Sequence, residues 1–156
     1  MAKEIERKFL VVSDNWKEDV SNSIIFKQGY FKGDNLSASI RVRIEGDVAK
    51  LNIKGATIGI VRDEFEYDIP IEEANQLLSL YCKKPYIEKT RYYVNYQSHL
   101  FEIDEFIGDN KGLVVAEVEL SSENESIDLP DWVGEDVSEQ TKYYNNNLVE
   151  NPFKQW

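Results

Sequence analysis

Glu4, Glu6 and Lys8 alternate within Glu4-Ile5-Glu6-Arg7-Lys8, and the apolar run Phe9-Leu10-Val11-Val12 follows at once. Successive side chains of a strand point to opposite faces, so two carboxylates and an ammonium share one surface at a spacing of about 7 Å. The same device returns down the chain as Arg41/Arg43, Glu64/Glu66, Lys89/Arg91, Glu102/Asp104 and Glu117/Glu119, with Lys54 alone. In most of these strands the opposite face is apolar or aromatic. Two arrangements stay open. An ordinary barrel puts the apolar faces inside and the charges in water, and then predicts mixed signs on every strand. The pairs here are instead of like sign, which gains nothing within a strand and makes sense when something else neutralises them. Carboxylate pairs suit hard divalent cations, and Mg²⁺ in particular takes one or two carboxylates together with waters and substrate phosphates. Arg and Lys pairs suit phosphate oxygens, Arg through its bidentate fork. A tunnel lined with both would hold a metal–polyphosphate.

Other chemistries find little in the chain. The sole histidine, His99, stands in a Gln97-Ser98-His99 turn and is expected to be exposed, which disfavours a Ser-His-Asp triad or a zinc site. Lys54-Gly55 lacks the preceding glycine that a Walker-type loop requires. Cys82, the only cysteine, reads as core at the end of an amphipathic helix; it permits no disulfide framework and fits a reducing compartment. Met1-Ala2-Lys3-Glu4 is charged where a signal peptide needs an apolar run, and no stretch approaches the roughly 18 apolar residues of a membrane span. The expectation is a soluble, cytoplasmic protein with no membrane partner. A net charge of −11 disfavours nucleic-acid binding through a general basic surface, yet a small basic interior fits inside an acidic shell.

The elements that must position these residues are short strands. The length of 156 residues suits one domain, residues 1–156, with a single substantial core. After the first strand, Ser13-Asp14 is placed to cap a helical turn through Trp16 and Lys17. Further strands are expected over 24–32, 37–44, 48–54, 60–69, 87–95, 100–106 and 114–120, with Gly29 a bulge or a point of close approach. Gly33-Asp34-Asn35 and Gly46-Asp47 are turn chemistry, and Gly55 and Gly59 bracket a loop. Pro70 ends the fifth strand. Glu72 to Tyr81, with acids in its first turn and Ala74, Leu77, Leu78 and Tyr81 at helical spacing, is the one strong helix. From Leu129 onward the chain turns to loop and short helical character. Short turns imply antiparallel neighbours, and eight antiparallel strands can close into a barrel that accommodates side chains or one small ligand.

These residues carry a resemblance. EIERKFLV, KQGYF, RVRI, LNIKG, RDEFEYDIP, EKTRYYV, FEIDEF, VAEVELSSE and LPDWVGEDVSEQTKYYNNNL together resemble the CYTH superfamily, the triphosphate tunnel metalloenzymes, in order through nearly the whole chain. The short bacterial members that act as inorganic triphosphatases are the nearest. The E-x-E-x-K signature alone is weak, whereas the full set of charged pairs in register is specific. The resemblance implies a mainly β (α+β) fold, a closed eight-stranded antiparallel barrel forming a charged tunnel, its outward apolar faces covered by a few helices. It places the signature acids on Glu4 and Glu6 and the signature lysine on Lys8. Asp104, Glu117 and Glu119 correspond to later metal-binding acids, so the implied metal set is Glu4, Glu6, Asp104, Glu117 and Glu119. Arg41, Arg43, Lys54, Lys89 and Arg91 match phosphate-holding cations, and Tyr30 in QGY matches a tunnel tyrosine. Glu64 and Glu66 match tunnel acids that either bind metal or orient water. Where relatives often show Asp-x-Arg-Tyr, this chain has Gln140-Thr141-Lys142-Tyr143, which keeps a base at Lys142 without the acid.

The activity implied is Mg²⁺- or Mn²⁺-dependent hydrolysis of a triphosphate, tripolyphosphate first, to pyrophosphate and phosphate. Glu4, Glu6, Lys8, Glu64, Glu66 and Lys89 form the expected catalytic set. Lys8, Tyr30, Arg41, Arg43, Lys54, Lys89, Arg91 and Lys142 form the expected substrate-binding set. The partner is a small-molecule triphosphate, not nucleic acid, and a homodimer is allowed. Within the family the alternatives are a class IV-type adenylate cyclase and thiamine-, nucleoside- or RNA 5′-triphosphatases. Outside enzymology the alternative is a polyphosphate-binding module without turnover. Phosphate release separates that module from the enzymes, and cyclic AMP release separates the cyclase.

Overall fold

A strand with charge on one side and apolar groups on the other needs two different environments, and a barrel supplies them. The computed structural model describes residues 2–33 and 37–156. Its strands are β1 (Ala2–Val11), β2 (Val20–Tyr30), β3 (Ala38–Glu45), β4 (Val48–Gly55), β5 (Val61–Ile69), β6 (Ile87–Tyr96), β7 (His99–Phe106), β8 (Val114–Glu119) and β9 (Val133–Asp136). Two α-helices accompany them among the described residues, α1 (Ile71–Tyr81) and α2 (Asn145–Glu150). The ladder runs β5-β4-β3-β2-β6-β7-β8-β1, and β1 pairs with β5 to close the barrel. Every pairing is antiparallel, and the closing register sets Glu4 opposite Arg62. No helix among the described residues is long and apolar enough to cross a membrane.

The charged faces turn inward, and the apolar faces form cores outside the barrel wall. Phe9, Val94, Phe101, Ile103, Ala116 and Val118 point outward and pack with Trp16 and Trp132. The cover over this side is a 3-10 helix (Asn15–Asp19) and the segment through Trp132. On the other side α1 lays Ala74 and Leu78 over Val42 and Ala49, with Cys82 fully buried between them. Gly29 lies beneath this helix. A β-carbon there would stand 2.8 Å from Leu78 Cδ2 and 3.0 Å from Cys82 Cβ, so the glycine is a point of close approach rather than a bulge.

Along the barrel axis the interior changes character. Leu10, Tyr30, Ile87, Phe106 and Val115 continue the inward faces of their strands past the charged residues. Val137, Tyr143, Leu148 and Val149 of the C-terminal segment close on them. One end of the tunnel is therefore an apolar stopper built by the chain's last elements.

Several boundaries differ from the sequence expectation. The strand β2 starts at Val20, because the polar Ser21-Asn22-Ser23 stretch pairs with β6 and sets Asn22 opposite Tyr93. The short β9 lies in the stretch expected to be loop and is fixed by tertiary pairing with β1, Phe9 opposite Asp136 and Val11 opposite Val133. Asp14 caps the 3-10 turn only through its backbone carbonyl, which accepts from Lys17 N at 3.0 Å; its side chain makes no capping bond. His99 is not exposed: it starts β7, and its Nε2 meets Glu125 Oε2. In the turn expected at Gly33-Asp34-Asn35, positions 34 and 35 lie outside the described residues.

Candidate active site

Strand alternation brings the paired charges into one cavity of about 380 Å³. Of the expected site residues, Glu4, Glu6, Lys8, Tyr30, Arg41, Arg43, Lys54, Glu64, Glu66, Lys89, Arg91, Glu117 and Glu119 all line it. Strand order, rather than register, groups most of them by sign. Glu6 faces Glu119 and Lys8 faces Glu117 across β1 and β8, while Glu102 of β7 faces Glu117. Arg41 and Arg43 on β3, Lys54 on β4, and Lys89 and Arg91 on β6 supply the cations opposite. Phe26 on β2 forms an aromatic floor under them, its ring centroid 4.9 Å from Arg43 Cζ, 4.8 Å from Arg91 Cζ and 5.6 Å from Lys89 Nζ.

Each acid is held differently. Burial works against the charge on Glu4, but a hydrogen bond with Glu64 and the Lys54 and Arg62 cations hold its carboxyl at about 2. Lys54 Nζ stands 3.2 Å from Glu4 Oε2 and 3.3 Å from Glu64 Oε2, and Arg62 Nε donates to Glu4 Oε1 at 3.0 Å. Burial and the hydrogen bond to Glu4 push Glu64 up to about 7. Burial and the neighbouring charges of Glu117 and Glu4 raise Glu6 well above the usual carboxylate range. Glu117 goes the other way: Lys8, Arg91 and Lys89 overcome its burial and keep it ionised. Glu66 is tied at the rim by Asn52 Nδ2 at 2.8 Å and Lys50 Nζ at 3.0 Å, which lower its pKa despite partial burial.

Asp104 and Lys142 are brought elsewhere. Asp104 is fully buried behind the lumen, and both its oxygens are taken: Lys89 Nζ donates to Oδ2 at 2.7 Å, and Arg91 Nε and Nη2 reach Oδ1 and Oδ2 at 2.7 and 2.9 Å. Its place is that of an anchor for two lumen cations. Burial, only partly offset by Asp104, brings the Lys89 ammonium down to about 7. Lys142 is exposed on the outside, its Nζ 4.4 Å from the centre of the Trp156 ring, and does not line the cavity.

Residues that sequence reasoning passed over complete the lining. Arg62 shares the alternation of Glu64 and Glu66, so its signal was present in the strand pattern. Asn145 also lines the cavity, while Gln28 and Asn52 lie fully buried behind it and hold lining arginines; all three are neutral and carried no signal. Gln28 Oε1 accepts from Arg43 Nε at 2.9 Å, and Asn52 Oδ1 accepts from Arg41 Nε at 3.4 Å. The C-terminal segment reaches in as well: Lys8 Nζ donates to Tyr143 O at 3.1 Å, and Lys89 Nζ to Asn145 Oδ1 at 3.0 Å. Arg41 is buried and makes no ion pair among the described residues, so its charge is open to an incoming anion.

The donor set suits a hard divalent cation, since Glu6, Glu117 and Glu119 bring carboxylates to one wall and Glu6 makes no ion pair among the described residues, with Lys54 offsetting little of its burial. Among the described residues no three acids already converge at ligating distance.

A closed antiparallel barrel whose interior sets a carboxylate wall against a cation wall defines the class, and the sequence comparisons agree. The CYTH domain matches residues 2–151, and the chain belongs to that family. It is similar to an inorganic triphosphatase of Acetivibrio thermocellus, 46% identical over 154 residues that cover 99% of this chain and 97% of the relative. It is also similar to an inorganic triphosphatase of Nitrosomonas europaea, 32% identical over 149 residues covering 94% and 96%. Among solved structures, the crystal structure of the inorganic triphosphatase NE1496 superposes with a TM-score of 0.69 at 31% identity, covering 96% of this chain and 95% of the other.

Proposed function

We propose that this protein is a divalent-metal-dependent triphosphatase that cleaves inorganic tripolyphosphate to pyrophosphate and phosphate. The observation that carries the reading is the buried cation wall of Arg41, Arg43, Lys54, Lys89 and Arg91, in which Arg41 has no ion-pair partner among the described residues, facing a carboxylate wall across one cavity. Glu6, Glu117 and Glu119, with Glu4 beside them, would hold a divalent cation, which would supply Lewis-acid neutralisation of phosphate oxygens. Asp104 stays with Lys89 and Arg91.

The chain's own residues account for the rest. Arg41 and Arg43 bind oxyanions through their forks, and Lys54, Lys89 and Arg91 fix the chain in line, so that positioning and electrostatics dominate. Lys8, anchored by Tyr143 O and Glu117, presents its remaining donor to the lumen. Glu64, at about 7, can take a proton from an attacking water near neutral pH, whereas Glu66 is held ionised at the rim. As the water oxygen bonds to the terminal phosphorus, the phosphoanhydride bond breaks and the cation wall receives the charge on the pyrophosphate that leaves.

The test is a panel of tripolyphosphate, pyrophosphate, ATP, GTP and CTP with Mg²⁺, Mn²⁺ or excess EDTA, read by phosphate, pyrophosphate and cyclic AMP release. A site that measures oxyanion number and spacing gives tripolyphosphate the highest kcat/KM, similar values for the three nucleotides and poor cleavage of pyrophosphate. Glu64→Gln should lower kcat about 10²-fold or more, and Glu66→Gln far less. Full turnover in EDTA refutes the metal, and cyclic AMP among the products makes it a cyclase.

A further inference from the structure

Asn145 belongs to the C-terminal segment that closes the barrel, yet it lines the cavity. Its amide orientation is fixed by a chain of groups that have no freedom of role. Arg43 can only donate, and its Nε binds Gln28 Oε1 at 2.9 Å. That leaves Gln28 Nε2 turned to Asn145, where it donates to Oδ1 at 3.1 Å. Lys89, as an ammonium a donor only, gives a second bond to the same Oδ1 at 3.0 Å. A flipped Asn145 would put its NH₂ against both an ammonium and an amide NH₂, so the flip is excluded by chemistry. The Nδ2 donors consequently face away from Gln28 and Lys89, and among the described residues no acceptor meets them. Meanwhile Lys89 spends one donor on Asp104 and one on Asn145, which aims its third at the lumen.

We propose that Asn145 is a substrate-contacting residue, resting on the triphosphatase reading: its Nδ2 donates to a phosphate oxygen while its Oδ1 holds Lys89 in aim. The C-terminal segment is then part of the binding site as well as its stopper. A neutral donor in a wall of cations adds direction without adding charge, so it sharpens the fit for a phosphate oxygen at one place.

The experiment compares Asn145→Asp, Asn145→Ala and Asn147→Ala with the unaltered protein, measuring tripolyphosphate turnover and, without metal, tripolyphosphate binding by calorimetry. Asn145→Asp keeps an acceptor for Lys89 and Gln28 but turns an oxygen toward the phosphate. It should raise KM and Kd at least tenfold, with melting temperature unchanged or higher. Asn145→Ala removes both roles and should raise KM while also lowering kcat. Asn147 Nδ2 donates to Thr141 O at 2.7 Å on the same segment, away from Lys89, so Asn147→Ala loosens the segment alone and should leave KM within twofold. Equal defects in Asn145→Asp and Asn147→Ala, or an unchanged KM and Kd in Asn145→Asp, overturn the inference while the triphosphatase reading stands. An unaltered protein that neither cleaves nor binds tripolyphosphate overturns both.

Discussion

On the outer side of β1, β7 and β8, Phe9, Phe101, Ile103, Ala116 and Val118 pack with Trp16 and Trp132 into a core held by shape. One residue further along the same strands, Lys8, Asp104 and Glu117 are equally withdrawn from water but held by charge. The outer layer gains from burial at roughly 25 cal/mol per Å² of apolar surface. The lumen loses by it, because each buried ion costs several kcal/mol of desolvation that its partners only partly offset. Stability and function thus sit on opposite faces of the same strands, and a substitution should reveal which face it touches by its sign.

The largest effect expected is on the outer face. Phe101→Ala should lose about 3–5 kcal/mol of unfolding free energy in urea, the range for a large core side chain left as a cavity. Arg41→Met, which removes a buried cation crowding Arg43 and Lys54, should gain about 1 kcal/mol in chelator while raising KM steeply. If Arg41→Met costs as much as Phe101→Ala, the lumen is an ordinary structural core and the contrast fails.

A ligand should reverse the lumen's sign. Mg²⁺ with a slowly hydrolysed triphosphate analogue at 100 times its Kd should stabilise the protein by about 2.7 kcal/mol through mass action alone. The same addition should do little for an Arg41→Met/Arg43→Met protein. A full thermal shift in that double variant would mean the anion binds elsewhere.

Much of this contrast was legible in the alternation of residues. Like-signed pairs on β1, β3, β5, β6, β7 and β8 put the carboxylates and cations on single faces, and closure of eight strands then had to bring those faces together. Cross-strand identity was not legible. Nothing in the sequence around Asp104 says that Arg91 lies directly opposite it and takes up both its oxygens. Neutral Gln28, Asn52 and Asn145 have no charge pattern to betray them. Lys142 kept the residue type but stacks on Trp156, a contact that depends on how the chain ends fold back. The strand β9 exists only because β1 offers it an edge.

The pH dependence sharpens the comparison at a smaller scale. Glu64 rises from 4.5 to about 7 in the folded state, mainly through burial, so the fold binds the extra proton and loses stability as pH climbs from 4.5 towards 7. Lys89 falls from 10.5 to about 7, again mainly through burial, so the unfolded chain holds the extra proton and stability returns as pH climbs from 7 towards 10.5. The metal-free protein should therefore show a trough of stability near pH 7, about 1–2 kcal/mol deep after allowing for solvent screening. Urea midpoints in chelator from pH 4.5 to 9.5 check it. Glu64→Gln should make the acid limb shallower, the buried Glu6 supplying the rest, and Lys89→Met should make the alkaline limb shallower; a level curve in the unaltered protein means that the lumen charges carry no such strain.

The smallest effect expected belongs to a pair that looks much like a lumen pair on paper. Arg7 points outward from β1, and its Nε and Nη2 donate to Asp136 Oδ2 at 2.9 and 2.6 Å, tying β9 to the barrel. Arg91 makes a comparable fork on Asp104. The difference is water: the Arg7 and Asp136 side chains are 31% and 37% exposed, and Asp104 is at 0%. A screened pair of this kind contributes less than about 1 kcal/mol, so Arg7→Gln should shift the urea midpoint slightly, and 0.5 M salt should erase most of the shift. The backbone pairing of Phe9 with Asp136 remains, and Ser138 keeps its bonds from N and Oγ to Asp136 Oδ1 at 2.9 and 2.5 Å, so the rim beside Lys8 is undisturbed. KM for tripolyphosphate should stay unchanged in Arg7→Gln and be lost with binding in Arg91→Gln. A rise in KM from Arg7→Gln would show that β9 transmits strain to Lys8 through Ser138, and that the outer and inner faces of β1 are coupled after all.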